Sequence, residues 1–341
     1  MKDLNVLQKT KNILKMLGIE NLKETIEITE RTVECPVKGC KTKVEKQKEI
    51  FKKDDKFECP EHNIYISPST WEYKEESCNL LWKDESDMGL LKEIKQPDVK
   101  RESYRIARNN SEDALTWNVF RFLEKNNLIN NFLKEVIGIP DDCADVIYWS
   151  YSQLQKGLWY CLKKGREEFE TNSKKGSEPD IIILGDKSLI IIEVKLNAGN
   201  KIPCKSKNEN VKKKYESGGG DWWDKVFRYD FNTLAIKEKK YELYRFWLIG
   251  SWMAAELNLN FYLINLTLSN KEKDIEERFK PCIKEIKENN LRIFKRITWE
   301  QIFDFISKNN FSGSDKNIVI NYFKNKTLGY NDGKIIKAFQ I

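Results

Sequence analysis

The apolar pattern is densest between residues 179 and 195, where Ile181-Ile-Ile-Leu184 and Leu189-Ile-Ile-Ile192 flank Gly185-Asp186-Lys187. Two β-branched runs around a short turn segment predict a tight hairpin of two buried strands. Counting outward from Asp186 and Lys187, Leu184 faces Leu189 and Ile182 faces Ile191, so Asp180 falls opposite Glu193. Lys195 lies two positions past Glu193, and strand alternation puts it on the same face.

Helix and strand periods alternate around this hairpin. Asn110 or Ser111 caps a helix through Leu115, Val119, Phe120 and Leu123, and another helix covers residues 128–137. Residues 145–149 predict a strand, followed by a long irregular region. Residues 241–257 form an apolar, aromatic helix, 261–267 a strand, 271–289 a polar helix interrupted by Pro281, and 291–298 a strand. Thr298-Trp-Glu-Gln301 is a capping box for a helix ending near Ile306. The order is that of a mixed-sheet α/β layer fold. Upstream, residues 4–28 predict one or two short amphipathic helices broken around Gly18, packed onto the module that follows. Residues 95–101, with Pro97, make a linker, which divides the chain into domains 1–100 and 101–341.

Charged residues reach 33%, above the ~25% usual for globular chains, while 40% hydrophobic residues still supply a core, so disorder is excluded. The longest apolar candidate, residues 246–264, is broken by Glu256, Asn258 and Asn260, and no membrane span is expected. Met1-Lys-Asp-Leu-Asn5 lacks the features of a signal peptide, which predicts a cytoplasmic protein. The net charge of +7 suits a polyanionic partner, although a lysine-, isoleucine- and asparagine-rich vocabulary accounts for it equally.

Of eight cysteines, Cys143, Cys161, Cys204 and Cys282 are scattered singly and read as incidental thiols. Cys35-Pro-Val-Lys-Gly-Cys40 and Cys59-Pro-Glu-His62 are two metal knuckles, the second holding the only histidine of the chain. This is the spacing of a closed tetrahedral Zn²⁺ site, with Cys78 the alternative to His62 as fourth ligand. Four protein ligands leave no open position, which makes the zinc structural. Short strands between the knuckles would form a ribbon too small to fold without the ion, its lysines facing phosphates or solvent.

Like charges directly across an antiparallel pair destabilise it unless a cation sits between them. Asp180 and Glu193 therefore call for a divalent ion, and with Lys195 they make the set that Mg²⁺- or Mn²⁺-dependent phosphodiester hydrolysis needs. Pro179-Asp180, twelve residues, then Glu193-Val194-Lys195 resembles the signature of the PD-(D/E)XK, or restriction-endonuclease-like, nuclease superfamily. The resemblance spans about half the chain. It implies an αβββαβ core with a mixed central sheet, Asp180 and Glu193 as metal ligands, Lys195 as catalytic lysine and Glu112 as a further ligand. It also implies an endonuclease acting on duplex DNA in bacterial restriction or defence against foreign DNA, with a homodimer or a defence-system partner. An RNA or structure-specific DNA nuclease and a non-catalytic binding or interaction module are the alternatives.

Residues 201–223 predict a long loop beside this site. Its Lys212, Lys213 and Lys214 could track a nucleic-acid backbone and Trp222 or Trp223 could stack on a base. Arg245, in the helix over 241–257, could meet a phosphate or be an ordinary surface residue.

Overall fold

The computed structural model describes residues 21–48, 52–96, 105–172, 176–201, 204, 209–309 and 314–341. Residues 4–20 of the expected N-terminal helices, residues 97–101 of the linker, and Lys205 and Lys207 lie outside these. The chain forms two compact units. Unit one draws on Met1–Asp84, Ser103–Phe122 and Phe303–Ile341, and unit two on Glu85–Glu102 and Leu123–Ile302. A single cut near residue 100 does not describe this division, because the C-terminal stretch belongs with the first unit.

In unit one, β1 (Thr32–Glu34) pairs antiparallel with β2 (Lys43–Glu45), and β3 (Glu58–Cys59), β4 (Ile64–Ile66) and β5 (Trp71–Tyr73) make a second small sheet. Residues 21–28 are not helical. Leu22 bridges Val37 and Ile28 bridges Val33, because β-branched Thr25, Ile26 and Ile28 suit a pleated chain better than a helix. Ile26 joins a core containing Val33, Ile64, Trp71 and Tyr330. A C-terminal hairpin, Thr327–Asn331 with Lys334–Lys337, closes that core. Tyr330 stacks on Trp71 with ring centroids 6.4 Å apart, and its hydroxyl donates to the carbonyls of Ser67 and, at 2.9 Å, Thr70. Helix α1 (Glu112–Lys125) starts where Ser111 Oγ accepts the Ala114 N–H at 3.1 Å.

Unit two is built on seven strands: β6 (Cys143–Tyr148), β7 (Tyr151–Ser152), β8 (Gly157–Leu158), β9 (Ile181–Gly185), β10 (Ser188–Val194), β11 (Asn260–Thr267) and β12 (Arg292–Thr298). Their order is β12-β11-β10-β9-β6-β7-β8. Strands β6, β9 and β10 are neighbours paired antiparallel, with β7, β8 and the chain to residue 180 inserted between β6 and β9, and β11 and β12 run parallel to β10. The hairpin register pairs Leu184 with Leu189 and Ile182 with Ile191. Strands covered on both faces read as continuous apolar runs, which is why the isoleucine blocks mark the middle of the sheet.

Helices α2 (Tyr160–Phe169), α3 (Glu209–Val226) and α4 (Tyr241–Glu256) belong to this unit. The region before Pro179, expected to be irregular, contains α2. Its buried side includes Gly165 and Arg166, which carry no hydrophobic signal. Residues 201–223, expected as a loop, contain most of α3, whose backbone leaves helical geometry from Gly218 to Asp221. A Cβ on Gly219 would come within 2.8 Å of the Phe169 and Trp252 rings, so the glycine both turns the chain and lets it approach the core. The polar helix expected over 271–289 shrinks to Ile275–Phe279 and a 3₁₀ turn at Lys280–Cys282, after which Ile283 and Ile286 bridge Phe227 and Arg292. Proline at 281 ends the helix and the two isoleucines take up extended pairing.

The outward N–H groups of β12 are occupied. Its N–H groups at Arg292, Phe294 and Arg296 donate to the Ile286 carbonyl at 2.9 Å, Glu285 Oε1 at 2.9 Å and Glu276 Oε1 at 2.6 Å. No helix among the described residues is long and apolar enough to cross a membrane.

Helix α4 leads into β11 and docks on the sheet through Gly250. A Cβ there would meet the Phe261 ring at 2.3 Å and Ile191 Cδ1 at 2.9 Å. Gly250→Ala would ordinarily gain ~1 kcal/mol of helix propensity. Here overpacking, at about 1–3 kcal/mol, is expected to outweigh it, and chemical denaturation should show a less stable protein.

Candidate functional site

Two groups of side chains stand out, one in each unit. In unit one the Pro36–Gly39 turn and the Pro60–Glu61 turn bring Cys35, Cys40, Cys59 and His62 together, with all ligand atoms within 4.8 Å of one another. Cys40 Sγ lies 3.8 Å from Cys59 Sγ, and His62 Nδ1 lies 3.4 Å from Cys59 Sγ and 3.7 Å from Cys35 Sγ. A tetrahedron with Zn–S of ~2.3 Å and Zn–N of ~2.05 Å has edges of about 3.8 and 3.6 Å, so the donor set could hold zinc with little movement. Cys78 is half-buried against the same core but outside the cluster. The Cys35–Cys59 contact is the main cause of both thiol shifts, holding Cys59 down at about 4 and pushing Cys35 far up. One thiol thus shares its proton with the other, and a bound metal would displace the protons that remain.

Several lysines of this module are paired with carboxylates. Lys43 pairs with Glu27 at 2.7 Å, Lys53 with Glu72 at 2.6 Å, Lys74 with Glu58 at 3.0 Å and Lys56 with Glu45 at 3.4 Å.

In unit two the structure brings Asp180, Glu193 and Lys195 to one end of the β9–β10 hairpin. Asp180 continues the register opposite Glu193, and its Oδ2 accepts the Val194 N–H at 2.8 Å. Glu193 is 3% exposed and Lys195 7%. The Lys195 ammonium pairs with Glu193 Oε1 and, at 3.2 Å, with Oε2 of Glu242 in the first turn of α4. Burial raises the Glu193 carboxyl well above its ordinary range; Lys195 opposes this, and Asp180 and Glu242 add to it. Burial also pulls Glu242 upward, but Lys195 and Arg245 outweigh it and leave that carboxyl below its usual value. Two carboxylates thus share one ammonium, with Asp180 across the hairpin from the first of them.

Arg245, one turn after Glu242, lies with its guanidinium 5.3 Å from the Tyr241 ring centroid and 5.5 Å from that of Phe246. Burial works against its charge, but Tyr215, Glu170, Tyr241 and Glu242 more than offset it. The Tyr241 hydroxyl donates to that of Tyr215 at 2.9 Å, and Tyr215 reaches Glu170 at 3.3 Å, so a buried polar network backs the arginine.

The other expected contacts fall differently. Glu112 opens α1 in unit one, with Asp113 beside it. Trp223 belongs to the core at 4% exposure, its Nε1 donating to the Tyr229 carbonyl at 2.9 Å and its ring 4.3 Å from Phe227, so it presents no face to a base. Trp222 is half-buried, with Lys225 4.6 Å from its ring centroid. Lys212 and Lys213 line a groove of about 870 Å³ that also contains Glu216, Asp221, Asp224 and Asp230, and is therefore no continuous basic track. Lys214 is half-buried on α3 and lies outside that lining. Glu242 is the site residue that sequence reasoning missed, because an acid in the first turn of a helix is unremarkable until its neighbour across space is known.

No protein-family profile, curated protein or solved structure matches the chain.

The purified protein is expected to carry about one zinc per chain. Cys59→Ser should lose it, and a strong chelator should collapse the near-ultraviolet signal of Trp71 and Tyr330. Elemental analysis showing no metal on a chain with all four ligands reduced would overturn this.

Proposed function

We propose that unit two is a divalent-metal-dependent nuclease that hydrolyses DNA phosphodiester bonds, duplex DNA being the favoured substrate. The observation that carries this is the convergence of Asp180, Glu193 and Lys195 at the end of an otherwise apolar hairpin. The gathering of carboxylates there fits a hard cation, which would add to the single positive charge that Lys195 supplies. The strand order supports the reading: a helix precedes three neighbouring antiparallel strands, β6, β9 and β10, with β7, β8 and α2 inserted after β6, and helices α3 and α4 lead to the parallel strand β11, an order that can be aligned with the restriction-endonuclease-like core that the signature resembles.

Asp180 and Glu193 would hold Mg²⁺ or Mn²⁺, which when bound supplies polarisation of the phosphate and a more acidic water. Lys195 stands within reach of the same carboxylates and would donate hydrogen bonds to oxygens on which charge develops. Arg245, aromatic-backed and charged, would contact a neighbouring phosphate. In unit one, the four-ligand set is assigned a structural zinc, closed to catalysis. Restriction or defence against foreign DNA in the bacterial cytoplasm is the role this combination suggests, by analogy of fold and site.

Wild type and Lys195→Ala should be compared on duplex DNA, single-stranded DNA and RNA with Mg²⁺, Mn²⁺ or EDTA. Metal-dependent cutting of duplex DNA, reduced about 10²–10³-fold in the variant, is expected. Cutting of RNA alone would replace the substrate in this proposal, and equal activity of the two proteins would sink the role of Lys195.

A further inference from the structure

Past Val194 the chain leaves the sheet, and its course over residues 195–200 is governed by side chains from the loop after β11. The Lys195 N–H donates to the Leu266 carbonyl at 2.8 Å, the last rung of the β10–β11 ladder. Lys271 Nζ then donates to the carbonyls of Leu196 at 3.1 Å and Asn197 at 2.5 Å. Glu272 completes the hold. Its Oε1 accepts the Asn200 backbone N–H at 2.7 Å, and its Oε2 accepts Nδ2 of Asn200 at 2.7 Å and Nδ2 of Asn265 at 2.9 Å. Asn200 Nδ2 also donates to Asn265 Oδ1 at 2.9 Å. Both asparagines are fully buried, and Asn265 is the register partner of Glu193 on the adjacent strand.

The loop that carries Lys271 and Glu272 is itself tied down. Arg296 of β12 donates through Nη2 to the carbonyls of Leu268, Ser269 and Lys271 at 3.0, 3.1 and 2.7 Å. The ends of three parallel strands are thereby linked by charged and amide groups rather than by apolar packing. Apolar side chains would hold the sheet together equally well, but they would not fix direction. A polar clamp in which Glu272, both asparagine amides and Lys271 all bond one another or the backbone restricts the chain to few geometries.

We propose that Glu272 is a positioning residue for Lys195. By binding Asn200 and Asn265 together it sets the path of the chain after β10, and with it the direction of the ammonium between Glu193 and Glu242. This rests on the reading of Lys195 as the group that serves the reacting phosphate.

Glu272→Gln is the informative variant, because it keeps shape and the Oε1 acceptor but sets an amide donor where two Nδ2 donors converge. The expected result is a kcat about 10- to 100-fold lower with KM unchanged. In a Lys195→Ala background the same substitution should cause no further loss, since a residue acting through the lysine has nothing left to position. Asn200→Ala should behave alike. Hydrogen exchange gives a readout independent of catalysis: amides at 196–200 should exchange faster in Glu272→Gln, with those of β10 and β11 unchanged. Full additivity with Lys195→Ala, a shift in KM alone, or unchanged exchange at 196–200 would each overturn the proposal. If wild type shows no metal-dependent cleavage, it is the nuclease reading that fails, and exchange alone then decides whether the clamp exists.

Discussion

A buried carboxyl group needs a cation nearby or a proton of its own, and the architecture of unit two follows from how Glu193 meets that requirement. The isoleucine-rich strands around it exclude water, which is what makes the requirement acute. Lys195 answers it from the same strand and is shared with Glu242. Glu242 is in turn balanced by Arg245, and Arg245 by a tyrosine network ending at Glu170. Charge alternates outward from the hairpin through α4 to α3 and α2. The first turns of α4 can take part only because the helix lies close against the sheet, an approach that Gly250 permits against Phe261.

Unit one solves a different problem. Its strands are too short to bury much surface, and its core is completed by thiol ligands on one side and by the C-terminal hairpin on the other. The Ile26 N–H donates to Gly333 O at 2.8 Å and the Ile335 N–H to Glu24 O at 3.0 Å, so the two distant ends of the described chain share one small body with the cysteine–histidine cluster. Order at residues 327–337 is therefore linked to order at the cysteines, although more than two hundred residues of sequence lie between them.

The features legible in the sequence are those set by local spacing. The hairpin register followed from counting outward from its turn, and the cysteine–histidine cluster from two knuckles. The capping box at Thr298 is present with both bonds, Thr298 N–H to Gln301 Oε1 at 2.8 Å and Gln301 N–H to Thr298 Oγ1 at 3.2 Å. Features set by distant partners were not legible. Helix α2 hides its buried side behind Gly165 and Arg166, the latter donating to Ser150 and Ser177. Helix α3 looks like a loop because its glycines serve a close approach to Phe169 and Trp252 rather than flexibility. Residues 21–28 carry a helical spacing of apolar positions but pair as extended chain once Val33 and Val37 are in place. Glu242 and Glu272 gain meaning only from the strands they reach.

The occupied edge of β12 limits how copies of this protein can associate. A strand from a second chain would have to displace the Ile286 carbonyl and the carboxylates of Glu285 and Glu276 before it found a free N–H, and β8, at the opposite edge, offers only two residues. A continuous intermolecular sheet is thus disfavoured at both ends. Contacts made by this unit with another chain are therefore left to the side chains of its helices and loops rather than to strand pairing.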